Sequence, residues 1–324
     1  MNVNFTGKNF YKSPLLQKGL EFAAKDGSLF IAGTSLALST FARPLSILAA
    51  PKTDKENKKL ACTKSIVSSG LGFGIMFLAS NPISRAITKI DESPTKYLKP
   101  KTIKNMMEKG KPLIESKGYQ FATQIFKLGL AFVIAAPKAV LSAALIPIVL
   151  NKIFKNNNST TNIKQKNSKN ISFKGGAKLN PISKGIGKII DKPLTQKIVN
   201  KYKNSNYQMH IPVMTDILAT STFVHQNNKN KKIKEERKQI LNRNAIISTT
   251  LSIFGGYVID KSLNKPTEKF IKKYSEINKK NPNLGKQIEG IKIVKPALIM
   301  GSIYYIGIPL ISTFLAERIR QKQK

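Results

Sequence analysis

The feature that most constrains this chain is a long uncharged run in its last thirty residues. Residues 297–316 read ALIMGSIYYIGIPLISTFLA, without one charged side chain, between Lys295 and Glu317. About twenty apolar residues, each rising 1.5 Å along a helix, cover the roughly 30 Å hydrocarbon core of a bilayer. The run therefore predicts a membrane-spanning helix.

Five further apolar segments precede this run, and most of them are shorter or interrupted. They are residues 29–50, 66–80, 128–150, 211–224 and 245–258. Segment 128–150 is long enough to cross but contains Pro137 and Lys138, and a proline there predicts a kink. Segment 29–50 is divided by Arg43 and Pro44. The short segments are marginal spans, and buried helices of a bundle are the alternative.

The chain carries the marks of a tandem duplication. Gly129 and Pro137 recur as Gly301 and Pro309, in each case 172 residues later. Four other short matches follow the same order, with offsets between 168 and 182. Repetition at a fixed offset indicates a repeated structural unit. We therefore divide the chain into a first repeat, 1–150, an Asn-, Lys- and Ser-rich linker, 151–178, and a second repeat, 179–324.

Basic amphipathic helices are predicted between the apolar segments. Pro14 opens one helix, and Asn81 and Pro82 open another, in which Ile83, Ile87 and Ile90 share one face. Such helices lie in a membrane interface or pack on a neighbouring helix. The predicted fold class is all-α: a helical membrane protein built from two copies of a unit with three apolar segments.

The orientation of the two copies is open at this stage. Three crossings per unit would place the second copy upside down relative to the first, as in many secondary transporters. The loops at 51–64 and 225–244 are, however, both strongly basic, and basic loops prefer the cytoplasmic side. The charges therefore do not assign an orientation.

Composition narrows the classes of partner. The chain carries 55 Lys and Arg against 17 Asp and Glu, a net charge of +38. A field of that sign attracts phosphates, so we expect the lipid bilayer as partner, with anionic head groups. A solvated basic surface without a dedicated partner is the alternative. Nucleic acid is a less favoured partner, because the basic runs lie between apolar segments and not on a recognition helix.

No catalytic, cofactor or metal motif was found. Cys62 is the only cysteine and there are two histidines, which leaves neither an intramolecular disulfide nor a zinc cage. The glycines at 70–74 lack the spacing and the downstream acidic residue of a dinucleotide loop. We therefore expect no cofactor and no metal, and an enzyme is the less favoured class of protein.

Four polar residues within or beside apolar segments are the candidate functional residues: Arg43, Lys138, Asp216 and His225. Ionisable groups at membrane depth are often functional, because leaving them there is costly. The alternative is that they mark helix ends, where a positive charge favours the last turn.

The function predicted from the sequence is that of a multi-pass integral membrane protein, a scaffold or a transporter-like module of two repeats. The alternative is a basic peripheral protein that binds anionic lipid or nucleic acid through Lys-rich surfaces.

Overall fold

The chain is almost entirely helical wherever its structure is described, with short turns between the helices. The computed structural model describes residues 7–48, 55–155, 179–229, 235–309 and 311, and these contain no β-strand. The helices are α1 Gly7–Tyr11, α2 Pro14–Lys25, α3 Gly27–Thr40, α4 Ala42–Leu48, α5 Lys55–Glu92, α6 Pro94–Tyr97, α7 Pro100–Met106, α8 Lys117–Lys155, α9 Leu179–Ile190, α10 Pro193–Tyr202, α11 Tyr207–Lys229, α12 Glu235–Ser262, α13 Asn264–Ile277 and α14 Leu284–Ser302. The all-α prediction is confirmed.

Three helical segments of the described chain are long and apolar enough to cross a membrane. They are Gly27–Leu48, formed by α3 and α4, Ser65–Glu92 of α5, and Lys117–Pro137 of α8. The first two correspond to predicted segments that looked interrupted or short in the sequence. Ser65–Glu92 reaches spanning length because α5 continues through Pro82, and Gly27–Leu48 reaches it because α4 follows α3 after a single residue, Phe41.

Helix α5 shows why the predicted boundary at Asn81 and Pro82 is wrong. The helix runs unbroken past Pro82 to Glu92. A proline inside a helix removes one backbone hydrogen bond, but packing of the following turn can offset that loss. Here Ile87 and Ile90 are fully buried. The predicted apolar face is therefore present, but it continues a long helix and does not begin a new one.

The uncharged run at residues 297–316 lies only partly within the described chain. Helix α14 begins at Leu284 and passes through Pro296, and a π-helical turn follows at Ile303–Gly307. Residue 310 and residues 312–316 lie outside the described chain. The π turn precedes Pro309, whose ring would clash with the carbonyl four residues earlier in a regular α-helix.

Helix α8, in contrast, continues as a regular α-helix through Pro137. The kink predicted from that proline is therefore not accompanied by a break in the helix.

The first helical hairpin consists of α3 and α4 followed by α5. Gly33 of α3 lies against Phe73 of α5. The Lys58 ammonium donates a hydrogen bond to the Leu48 carbonyl at 3.2 Å. Because residue numbers rise on one helix as they fall on the other, the two are antiparallel.

The second hairpin, α11 with α12, has the same form. Asn206, just before α11, donates a 2.7 Å hydrogen bond to Asp260 near the end of α12. Further along, the hydroxyls of Thr220 and Thr249 are 2.6 Å apart. These two helices are also antiparallel.

Helix α14 relates the two hairpins to each other. It runs parallel to α3 and α4, since Ile293 lies against Gly27, and the Tyr305 carbonyl accepts a 3.5 Å hydrogen bond from Ser46. It runs antiparallel to α12, where Lys295 pairs with Asp260. The two hairpins therefore run in the same direction, and they are not inverted relative to each other.

The shorter helices form a cap at the end where α3, α11 and α14 begin. Helix α2 packs along α14, α9 packs on α5, and α10 packs on α8. The main hydrophobic core lies at this end and includes Ile87, Ile90 and Ile190, all fully buried. The cap therefore fixes the positions from which the apolar helices extend.

Glycines at the α2–α14 contact provide a test of this packing. A Cβ added to Gly290 would overlap the Leu20 carbonyl, whereas a Cβ on Gly19 meets nothing within 4 Å. We predict that Gly290→Ala lowers the free energy of unfolding by about 1–3 kcal/mol through overpacking. Gly19→Ala should raise it by up to about 1 kcal/mol through helix propensity. Chemical denaturation followed by circular dichroism measures both, and equal effects would contradict the close contact.

Candidate functional site

A group of polar side chains is buried where the two halves of the chain meet. We define the central polar cluster as Asp91 of α5, Tyr119, Gln124 and Lys127 of α8, and Glu289 of α14. Gln124 is fully buried, and Lys127 and Glu289 are 7% and 5% exposed. Buried polar groups of this kind are stable only when hydrogen bonds replace their hydration, so each partner matters.

Gln124 joins three helices through its amide nitrogen. Its Nε2 donates to the Ala24 carbonyl at 2.8 Å and to Glu289 Oε1 at 2.8 Å. The last carbonyls of a helix have no partner within the helix, and Ala24 is in the last turn of α2. Gln124 therefore satisfies a buried helix end and at the same time holds α8 against α14.

Lys127 reaches the same carbonyl from the next turn of α8. Its Nζ donates to the Ala24 oxygen at 3.0 Å. A cation at a helix C-terminus is favoured by the dipole of the helix. The backbone carbonyl of Lys127 accepts a hydrogen bond from the Ser28 hydroxyl at the start of α3. The buried junction of α2 and α3 is thus held almost entirely by α8.

The local sequence explains why the chain turns at this point. Asp26 ends α2 and its carboxylate accepts a 3.1 Å hydrogen bond from the Leu29 amide, which caps α3. Gly27 follows and lies directly against Leu128 and Ile293, where a larger residue would collide. The close approach of α3 to α8 and α14 therefore depends on this cap and this glycine.

Asp91 and Tyr119 form the edge of the cluster. The Tyr119 hydroxyl donates to Asp91 Oδ1 at 2.6 Å, and the Tyr119 side chain is 1% exposed. This bond ties the end of α5 to the start of α8. A short hydrogen bond from a phenol to a carboxylate is of the strong, charge-assisted kind.

The electrostatics of the cluster are dominated by burial. Burial raises the pKa of the Glu289 carboxyl above its ordinary value, and the charge of Asp91 acts in the same direction. Lys127 and the hydrogen bond from Gln124 act in the opposite direction. Burial also lowers the pKa of Lys292 on the same helix. The interior therefore disfavours charge at this depth.

A buried ion pair lies beside the cluster. Lys295 Nζ is 2.9 Å from Asp260 Oδ1, with side chains 14% and 6% exposed. The other Asp260 oxygen accepts from Asn206 at 2.7 Å. Breaking a buried pair leaves an uncompensated charge, so this contact fixes α12 against α14.

Arg43 is the predicted candidate with the most distinct surroundings. Its guanidinium lies over the ring of Tyr304, 5.8 Å from the centroid. Its Nε is buried, with no hydrogen-bond partner in the described chain. The residue joins α4 to the π turn near the end of the described chain, and stays a candidate for a role at membrane depth.

The other three candidates lie apart from the central polar cluster. Asp216 is half-buried in the middle of α11, and His225 is exposed two turns later. Lys138 lies in α8, and its side chain is outside the part of the chain that is described. The structure therefore does not gather the four predicted residues with the buried cluster.

Sequence reasoning missed the cluster because it searched inside apolar segments. Gln124, Lys127 and Glu289 lie just before segments 128–150 and 297–316. A signal was present, since Gln124 and Lys127 are three residues apart and share one helix face in an otherwise apolar stretch. Their contact with a residue 165 positions away could not be seen without the fold.

Comparisons with protein-family models, with curated proteins and with solved structures gave no match to this chain. Within the described residues no group of three or more His, Cys, Asp or Glu side chains is placed to hold a metal ion.

Removal of one hydroxyl tests the edge of the cluster. We predict that Tyr119→Phe lowers the free energy of unfolding by about 1–3 kcal/mol, because the half-buried Asp91 carboxyl loses the hydroxyl that donates to it. Tyr202→Phe, on the exposed face of α10, should change it by less than about 0.5 kcal/mol. Thermal unfolding in detergent compares the two variants. Equal melting temperatures would show that the Tyr119 hydroxyl is not needed.

Proposed function

We propose that the protein is a multi-pass integral membrane protein whose two related halves form a helical scaffold or a transporter-like module. The observation that carries this proposal is a belt of exposed apolar side chains around the helices that extend from the cap. In water such a surface would be unfavourable, whereas in lipid it is the expected one.

The belt has the dimension of a bilayer core. Gly27–Leu48 contains 22 residues, which corresponds to about 33 Å of helix. Phe41 and Leu45 are 70% and 68% exposed on this segment, and Phe254 of α12 is 72% exposed. Only 17% of the spanning windows of α3–α4 and of α5 is buried, against 44% for α8. Helices α3 to α5 therefore offer the larger lipid-facing surface.

Basic residues border the belt. Lys58 and Lys59 begin α5 at the end of the bundle far from the cap, and Lys229 ends α11 there. In the cap, Lys188 and Lys192 belong to or follow the amphipathic helix α9. Cations at both borders favour contact with anionic head groups, each contributing about 1 kcal/mol near a charged surface.

The tandem duplication, as part of this proposal, is supported by corresponding landmarks. Helices α2 and α10 both begin with a proline, Pro14 and Pro193. The dipeptide Ile90-Asp91 near the end of α5 recurs as Ile259-Asp260 near the end of α12. In each half the aspartate contacts a later helix. Asp91 accepts a hydrogen bond from Tyr119 of α8, and Asp260 pairs with Lys295 of α14.

Helix contacts correspond in the same way. The contact of α3 with α5 has its counterpart in that of α11 with α12, and the contact of α5 with α8 in that of α12 with α14. Across the halves, α8 packs on α11 as α14 packs on α3. Since the hairpins are parallel, the proposed repeats would be related by an axis along the bundle, as in parallel-repeat transporters.

One observation favours a second candidate function, the basic peripheral protein. Helix α8 runs away from the cap for 39 residues, about 58 Å, and α9 lies in the cap again. Residues 156–178, the greater part of the linker, therefore connect opposite ends of the bundle. Their Asn- and Lys-rich sequence cannot pass through hydrocarbon. A bundle on the membrane surface, its apolar faces covered by further copies of the chain, avoids this difficulty.

Alkaline extraction of membranes separates the two candidates. We expect the full-length protein to stay in the pellet at high pH, because burial of the belt in lipid does not depend on charge. High salt should not release it either. Release by salt alone would show that head-group electrostatics hold the protein, and would favour the peripheral candidate.

Cysteine labelling in sealed vesicles then tests crossing directly. In a Cys62→Ser background, Lys229→Cys lies at the far end of the bundle and Lys192→Cys in the cap, and both positions are exposed. We predict that an impermeant thiol reagent added outside labels only one of them, and that the other reacts after the vesicles are opened. Labelling of both from the outside would contradict the multi-pass proposal.

A further inference from the structure

The orientation of the Gln124 amide is fixed by a backbone carbonyl. The Ala24 oxygen can only accept a hydrogen bond, so the amide group facing it has to be the nitrogen, which donates at 2.8 Å. The same nitrogen donates to Glu289 Oε1. The amide oxygen, Gln124 Oε1, is buried and has no hydrogen-bond partner in the described chain.

The nearby carboxyl group has no direct counter-charge. Glu289 takes part in none of the ion pairs Lys111–Glu108, Lys238–Glu235 and Lys295–Asp260. The charge of Lys127 favours the Glu289 anion, but the Lys127 ammonium donates its hydrogen bond to the Ala24 carbonyl. An ionised carboxylate in such a place is costly, and protonation removes that cost.

Two incomplete groups thus belong to the pair of side chains that joins α8 to α14. One is a buried acceptor that lacks a donor, and the other is a carboxyl that would gain a donor by binding a proton. We propose that Glu289 is a proton-binding site, in which the protonated carboxyl donates to Gln124 Oε1 while Gln124 Nε2 donates to Glu289 Oε1.

In this reciprocal pair the bound proton stabilises the junction of α2, α8 and α14. Loss of the proton would leave the Gln124 oxygen without a donor and would place a negative charge beside Asp91. It would weaken the contact that joins α2, α8 and α14, because the same amide also holds Ala24. Protonation therefore favours the closed junction, and deprotonation loosens it.

The charged and titratable groups around Glu289 act in both directions. Lys127 from α8 and Lys292 from α14 favour its anion, while Asp91 from α5 disfavours it. The charge of Glu289 also acts on the phenols of Tyr119 of α8 and Tyr207 of α11. Burial raises the pKa of Tyr207. Burial is the largest contribution at Glu289 and raises its pKa above the ordinary value of 4.5.

Infrared difference spectroscopy of the full-length protein in detergent tests the proposal. At pH 7 the wild type should show the carbonyl band of a protonated carboxylic acid, and the band should disappear in Glu289→Gln. Glu268→Gln on the exposed face of α13 is the matched control and should retain it.

Gln124→Met provides a second variant that does not alter the carboxyl. It removes the amide nitrogen that donates to Glu289 Oε1, so the same band should shift to higher frequency. If the wild type shows no protonated-acid band at pH 7, or if the band survives in Glu289→Gln, the proposal is overturned.

The pH dependence of stability gives an independent readout. A carboxyl whose pKa is higher in the folded chain contributes stability that is fully present below the unfolded value, and this is lost as the pH rises through the folded value. The wild type should therefore lose stability relative to Glu289→Gln as the pH rises above about 4.5. A constant difference between the two proteins across this range would contradict a proton bound at Glu289.

Discussion

The interaction on which the arrangement of this protein depends is the burial of a helix end. Helix α2 stops at Lys25, and the Ala24 carbonyl in its last turn lies deep in the molecule, where water cannot satisfy it. Gln124 and Lys127 from α8 supply the missing donors. An unsatisfied buried carbonyl would cost about 1–3 kcal/mol, so the register of α8 against α2 is fixed by this contact.

The other helices are placed relative to this junction. Gly290 lets α14 approach α2, and Gly27 lets α3 approach α8, so closely that a methyl group would not fit. The long helices then extend in one direction from a cap of amphipathic helices. Their apolar side chains remain exposed over about 30 Å, which is why lipid, and not water, is the solvent that we propose for them.

The fold class could be predicted because helical membrane segments are encoded locally, by length and hydrophobicity. The interruptions misled the prediction in detail. Pro82 suggested a helix start and Pro137 a kink, yet α5 and α8 continue through them. In α5, packing of the following turns, which bury Ile87 and Ile90, stabilises the helix. A proline sets a local cost, and only the surrounding contacts decide whether the helix ends.

The candidate site was less predictable than the fold. Arg43, Lys138, Asp216 and His225 were chosen because polar residues are rare in apolar segments, and they stay candidates. The central polar cluster lies at the borders of these segments, where polar residues are common and carry no signal on their own. What distinguishes Gln124 and Glu289 is their burial against each other.

The sequence by itself determined an all-helical chain with apolar segments of membrane length and a strong excess of positive charge. These properties depend on residue type and on local spacing. Only the tertiary structure decided that both hairpins point the same way and that Ala24, Gln124 and Glu289 meet. Those features arise from contacts between residues 100 or more positions apart, and such contacts are selected by close packing and by the need to satisfy buried polar groups.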